Sequence, residues 1–288
     1  VTAVLCALGA ALLYATASVL QQRSAAAAPA EQSLRIGLLT RLLRNPVWLL
    51  GIGADVAGFV LQFVALSTGT LVLVQPLLVV GLLFALPIGA RINGTRMARG
   101  DWLAALAVCA GLAVFQWIAD PSSGHDFIRP ATWLFLITAA GGLGVLLTAA
   151  GSRTQGRTRA VLLSAGAGTV YGMAAGLTKT VGHLLSLDVA RTFAHWEPYA
   201  LAVVGLAGML IAQSAFQAGA LDVSLPTMTV IDPVVSILIG SLAFGERISA
   251  GAPAVALEVI SLVVMVGGVY GLARRQAERG VPGTVRPA

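Results

Sequence analysis

Charged side chains are what this chain has least of: Asp, Glu, Lys and Arg make up 10% of its 288 residues. A soluble domain normally carries about a quarter. A surface so poor in charge excludes a water-soluble globule, so the solvent for most of the chain must be lipid. Cysteine is nearly absent too. The two present, Cys6 and Cys109, lie within apolar runs and form neither a zinc pattern nor a disulfide framework, which leaves them as small packing residues. Histidine is limited to His125, His183 and His195. All three are expected in outer loops without a partner at ligand spacing, which argues against metal binding there. No Walker lysine motif appears, and no Ser-His-Asp or Cys-His set falls within one compartment, so the chain does not read as an enzyme or a nucleotide-driven pump. No secretory signal is evident either, since no basic residue precedes the first apolar run.

What is present is apolar and small: 57% hydrophobic residues and 33 glycines, with aromatics at only 6%. Small residues let helix backbones approach closely where lipid removes the hydrophobic drive to associate. A span needs about 20 apolar residues. Runs of that kind fall near 2–22, 47–67, 70–90, 101–119, 131–150, 160–178, 198–219, 224–245 and 253–273. The expected fold is therefore all-α, a polytopic membrane protein of about nine helices. Residues 33–44 are too short and too charged to cross, and suit an amphipathic helix lying at the interface. The charged, Gly/Pro-containing stretch 274–288 reads as a disordered tail.

The net charge of +6 does not point to nucleic acid, because the basic residues sit between apolar runs rather than on one face. Arg23, Arg35, Arg41 and Arg44 share the first loop, Arg91, Arg96 and Arg99 the third, and Arg153, Arg157 and Arg159 the fifth. Arg274, Arg275, Arg279 and Arg286 follow the last run, while Arg129, Lys179, Arg191 and Arg247 fall in alternate loops beside acids. Basic segments resist translocation. That puts the N-terminus outside and the C-terminus in the cytoplasm of a plasma (inner) membrane, and requires an odd number of spans.

Four spans resemble four others. Gly9, Tyr14 and Leu20 recur as Gly166, Tyr171 and Leu177 at an offset of 157, and Gly53, Gln62 and Ala65-Leu66 recur as Gly208, Gln217 and Ala220-Leu221 at an offset of 155. Gln75-Pro76 and Gly89-Ala90-Arg91-Ile92 correspond to Asp232-Pro233 and Gly245-Glu246-Arg247-Ile248. The chain divides accordingly into a first four-helix unit at 1–119, a linking helix with its loops at 120–158, a second unit at 159–273, and the tail. One span between the units makes the second enter from the opposite side, and inverted repeats are the architecture of alternating access.

Four-helix units ending Gly-Glu-Arg-Ile, with a proline inside the third helix, resemble the drug/metabolite transporter superfamily of EamA-like proteins. Within it the chain is most similar to the NIPA-type magnesium transporters, through Asn45-Pro46-Val47-Trp48-Leu49-Leu50-Gly51 and Ala54-Asp55-Val56-Ala57-Gly58-Phe59, and through Glu197-Pro198-Tyr199, Gln213, Ala220-Leu221 and Pro226. Asp55 stands where that family has glutamate, and Gly58 where it has asparagine. The resemblance implies nine spans and a divalent cation such as Mg2+ as transported ion, with no resident cofactor.

An ionisable group in hydrocarbon costs several kcal/mol, roughly, and is retained where it faces a cavity or a partner. Asp55, Asp232 and Glu258 fall well inside spans. Asp55 shares a helical face with Gly58, Phe59 and Gln62, a carboxylate and a carboxamide suited to a hydrated cation or an exchanged proton. Asp232 precedes Pro233, which removes a backbone donor; an acid beside a broken helix is the material of midplane sites. Its mate Gln75 is neutral. Gln213, Gln217 and Thr229 are candidate lining groups, and Tyr14 and Tyr171 candidate gate or cavity residues. Each has a plainer use, as interhelical glue or a kink cap. Ser164, Gly168, Gly172 and Gly176, at four-residue steps, read as a packing seam. The sequence thus predicts a secondary transporter of a small solute or divalent cation, with Asp55 and Asp232 as metal-binding acids if the cargo is a metal. A proton-coupled metabolite or drug exporter is the second reading, and a non-transporting partner or lipid-handling protein the third. The expected partners are membrane lipid and the solute.

Overall fold

The computed structural model describes residues 1–68, 77–92, 94, 96–118, 130–219, 221–244 and 252–279. Among them every regular element is helical. The helices are α1 (Thr2–Ala26), α2 (Ile36–Leu42), α3 (Pro46–Thr68), α4 (Gly81–Ile92), α5 (Arg99–Ile118), α6 (Pro130–Leu136), α7 (Gly142–Ser152), α8 (Gly156–Leu187), α9 (Glu197–Ala218), α10 (Leu221–Phe244) and α11 (Ala252–Arg279). A π turn at Ile137–Gly141 joins α6 to α7 in one rod. Seven helices are long and apolar enough to cross a membrane: α1, α3, α5, the α6–α7 rod, α8, α9 and α10. Leu77–Ile92 and Ala256–Leu272 are shorter apolar helices. The chain is an all-α polytopic membrane protein, and its surface agrees. On α3, Val56, Phe59, Val60 and Phe63 point outward with more than half their area exposed, a face only lipid can cover.

Packing repeats between the two halves of the chain. α1 lies against α3 and α4, and α8 lies against α9 and α10, while α5 pairs with α11. The two sets meet where α1 touches α9 and α10, and where α10 touches α4 and α5. Small residues make these approaches possible. A Cβ on Gly81 would stand 3.0 Å from the Ala11 carbonyl oxygen, and one on Gly268 2.8 Å from that of Ala104. Alanines 3, 7, 10, 11, 15 and 17 form the buried side of α1.

Several expectations change. α8 runs on to Leu187, so His183 and Lys179 stand on a helix rather than in an outer loop. At 32 residues and about 1.5 Å per residue, this helix outreaches a hydrocarbon core of about 30 Å, and polar residues in its last turns need not break it. Asp188 ends it with an extended backbone, and its Oδ1 accepts the N–H groups of Ala190 and Arg191 to start the turn Val189–Thr192. α11 likewise extends through Arg279, so the expected tail is helical over 274–279; residues 280–288 lie outside the described ones. The short helix within 33–44 forms at Ile36–Leu42, with one face exposed and the other against the bundle. Leu38 and Leu42 are fully buried with Trp48, against Ile52, Met209 and Leu210. The break expected at Pro233 is also missing: α10 is continuous through Pro226 and Pro233. Gly168 and Gly172 of α8 face this stretch, where a Cβ would stand 3.2 Å from the Asp232 backbone nitrogen and 3.0 Å from its carbonyl oxygen.

Candidate functional site

The polar groups of α1 and α3 follow a step of seven residues. Tyr14 and Gln21 are two turns apart on α1, and Trp48, Asp55 and Gln62 continue the same step on α3, so each set lies along one helical face. The two helices run antiparallel, with Leu61 against Gly9 and Gln21 against Gly51, and the stripes meet. The Tyr14 hydroxyl donates to Gln62 Oε1 at 2.6 Å, and Gln21 Nε2 donates to Asp55 Oδ2. Tyr14 lies flat enough on α3 that a Cβ on Gly58 would touch its ring at 3.0 Å. Phe59, expected on the Asp55 face, points away to the outside.

A third helix completes this seam. Gln213 of α9 is 2% exposed, and its Nε2 donates to Gln21 Oε1 at 2.8 Å while its Oε1 accepts the Trp48 indole N–H at 3.2 Å. An indole nitrogen donates only. It therefore fixes which end of the Gln213 amide faces it, which in turn fixes Gln21. The result is a one-way chain, Trp48 to Gln213 to Gln21 to Asp55, in which every donor points toward the carboxylate. Neighbouring residues latch the same end of α9 to the segment after α1. Ser214 Oγ accepts the Leu34 N–H at 2.9 Å, and Gln217 Nε2 donates to the carbonyls of Ala28 and Pro29. Gln22 Nε2 donates to the Gly219 carbonyl.

The second acid is built differently. Asp232 Oδ1 accepts from Ser236 one turn on, at 3.2 Å, and its backbone lies in the glycine seam of α8. A Cβ on Gly172 would stand 2.6 Å from Val235 Cβ and 3.0 Å from the Asp232 carbonyl oxygen, and one on Gly176 2.9 Å from Ile239. The ladder from Ser164 to Gly176 is thus a contact surface, as its spacing indicates. Tyr171, next to this seam, packs on Gly208 of α9 as Tyr14 packs on Gly58. The offset of 155 assigns Gln213, not Gly208, to the place of Gly58, so the tyrosine–glycine contact recurs in a different register. The charges of Asp232 and Asp55 both act on the Tyr171 side chain.

The other candidates are more scattered. Thr229 donates its hydroxyl into its own helix, to the Leu225 carbonyl, and Gln217 is spent on the latch. Glu258 lies on α11 with Oε1 buried and no hydrogen-bond partner among the described residues. Gln75 and His125 lie outside the described residues. His195 sits on an exposed turn, its Nδ1 3.9 Å from Glu197. Among the described residues no group of three His, Cys, Asp or Glu side chains converges. Cys109 is buried with its thiol against the Val79 carbonyl, and both cysteines are unbridged. Sequence reasoning missed Gln21 and Trp48. Their signal was the seven-residue step, which runs back from Gln62 and Asp55 to Trp48 on α3 and joins Tyr14 to Gln21 on α1.

Comparison with known proteins gives one informative similarity. The chain is 32% identical over 275 residues to an uncharacterized protein of Corynebacterium glutamicum, an alignment covering 94% of each chain. No protein-family model matches the chain, and no solved structure does.

Proposed function

The chain belongs to the same family as the Corynebacterium glutamicum protein, and we propose that it is a secondary transporter that moves a small cationic solute by alternating access. In this reading nine spans form two inverted four-helix units of the EamA-like kind joined by the α6–α7 rod, in the plasma membrane with the N-terminus outside. The matching neighbour sets of α1 and α8 support the two units. Two shorter apolar helices beside seven long ones support the count.

One observation carries the proposal: Asp55 and Asp232, one from each half, stand on apolar helices of membrane-crossing length, and each is held through one carboxylate oxygen by a polar neighbour. Keeping two acids at that depth is costly unless they bind something. Acids contributed by separate halves are also what a rocking motion can expose to either side in turn. Asp55 brings one carboxylate oxygen already held by Gln21, and Asp232 one held by Ser236. The remaining carboxylate oxygens offer acceptors to a positively charged cargo. A partly hydrated divalent ion such as Mg2+, which favours oxygen ligands and keeps several waters, is the smallest cargo this set suits.

The test is uptake into proteoliposomes, with Mg2+ and a panel of organic cations as cargo, comparing the native chain with Asp55→Asn and Asp232→Asn. Each substitution keeps shape and removes charge, and is expected to cut uptake by about tenfold or more, the effect of a lost charged contact. Native rates in both variants would end this mechanism. Thermal stabilisation by Mg2+, or its absence alongside stabilisation by an amine, sorts the cargo class.

A further inference from the structure

Asp55 is oriented by a residue that is not on its own helix pair. The chain of donors that ends on its Oδ2 starts at Trp48 and passes through Gln213 of α9, and Trp48, Gln213 and Gln21 are all buried. Each link has a defined direction, because the indole N–H has no acceptor capacity to offer Gln213. Were the Gln213 amide turned over, its NH2 would face the indole N–H and its oxygen would face Gln21 Oε1 unless that amide turned as well. Gln21 would then present an oxygen to the carboxylate. The indole excludes that state.

We propose that Gln213 is a positioning residue for Asp55: with Trp48 it locks the Gln21 amide so that Oδ2 is permanently occupied, and leaves Oδ1 as the atom that meets the solute. A carboxylate held this way offers the cargo an acceptor and no donor, which selects positive charge or an N–H group over an anion. The inference rests on Asp55 being a binding carboxylate, yet its test needs no transport. It also gives the latch of Ser214 and Gln217 on residues 28–34 a consequence. The same turns of α9 that hold this segment hold the relay, so the orientation of Asp55 depends on α9 staying seated against α1.

The experiment labels the full chain in detergent with dicyclohexylcarbodiimide, a reagent that partitions into apolar helices. The carboxyl oxygen bonds to its central carbon and the carboxyl proton passes to nitrogen. Mass spectrometry then reads label on the Asp55 peptide relative to the Asp232 peptide, whose carboxylate is bonded to Ser236 and takes no part in the relay. Trp48→Phe keeps the ring among Leu38 and Leu42 but removes the N–H, and Gln213→Met keeps the length of the side chain but removes both links. Each is expected to raise the Asp55 to Asp232 ratio by about fivefold, the population shift that loss of one hydrogen bond brings. General loosening of the bundle would raise both sites together and leave the ratio alone. An unchanged ratio in either correctly folded variant overturns the inference. A shifted ratio in a chain that takes up no solute would sink the transport reading and leave this one standing; an unchanged ratio in a chain whose uptake needs Asp55 would do the reverse.

Discussion

The seam between α1 and α3 and the seam between α8 and α10 solve one problem in opposite ways. Both must hold two helices together in a solvent as apolar as their own side chains. The α8–α10 seam does it by removing side chains. Gly168, Gly172 and Gly176 let Ile231, Val235 and Ile239 rest almost on the facing backbone, so many weak dispersion contacts accumulate. The α1–α3 seam does it with hydrogen bonds, Tyr14 to Gln62 and Gln21 to Asp55, and draws in Gln213 and Trp48. Close packing alone can hold a pair of membrane helices. Polar groups in the other seam are therefore an added cost that adhesion alone does not require, which is why function is sought there.

The largest expected effect breaks the dry seam. Gly172→Leu must place a side chain where a Cβ already stands 2.6 Å from Val235 and 3.0 Å from a backbone oxygen. Overpacking costs about 1–3 kcal/mol, and with backbone as one of the neighbours the upper end or beyond is expected. The melting temperature in detergent should fall steeply, whereas Gly205→Ala on α9, which meets nothing within 4 Å, should leave it unchanged. Equal melting of the two variants would remove the contrast between the seams. Tyr14→Phe comes next. It deletes the donor to Gln62 and should lower stability by about 1 kcal/mol, with a coupling to Gln62→Leu of about 0.6 kcal/mol in a double-mutant cycle of thermal unfolding. Zero coupling would mean that the polar seam is adhesive only through its shape. Ser236→Ala should do least to stability, a few tenths of a kcal/mol at most for a 3.2 Å bond within one helix. Its effect should appear instead as a changed apparent affinity in uptake.

Much of the architecture was readable in the chain. Apolar runs expected at 2–22, 47–67, 101–119 and 198–219 became Thr2–Ala26, Pro46–Thr68, Arg99–Ile118 and Glu197–Ala218, and the glycine ladder on α8 meets a neighbour as its spacing suggested. The chain was a poorer guide at helix ends. Lys179 and His183 look like loop residues, yet α8 carries them, because a helix that has left the hydrocarbon can continue in water until a residue such as Asp188 caps the next turn. It was poorer again at the site. Gln213 and Gln217 sit one turn apart and read alike, but one bonds to Gln21 and Trp48 while the other bonds to the carbonyls of Ala28 and Pro29. Thr229 looked like a lining group and turned its hydroxyl to its own backbone.

By itself the sequence determined that the chain crosses lipid as helices and roughly where each begins. In a solvent without hydrogen-bond partners, an apolar run has to satisfy its backbone internally, a local rule that needs no neighbours. Only the tertiary structure decided which polar side chains meet: that Gln21 faces Asp55, that Gln213 reaches across from α9, that Tyr171 packs on Gly208. Those meetings depend on the register and crossing of helices far apart in the chain, where glycines allow the close approaches.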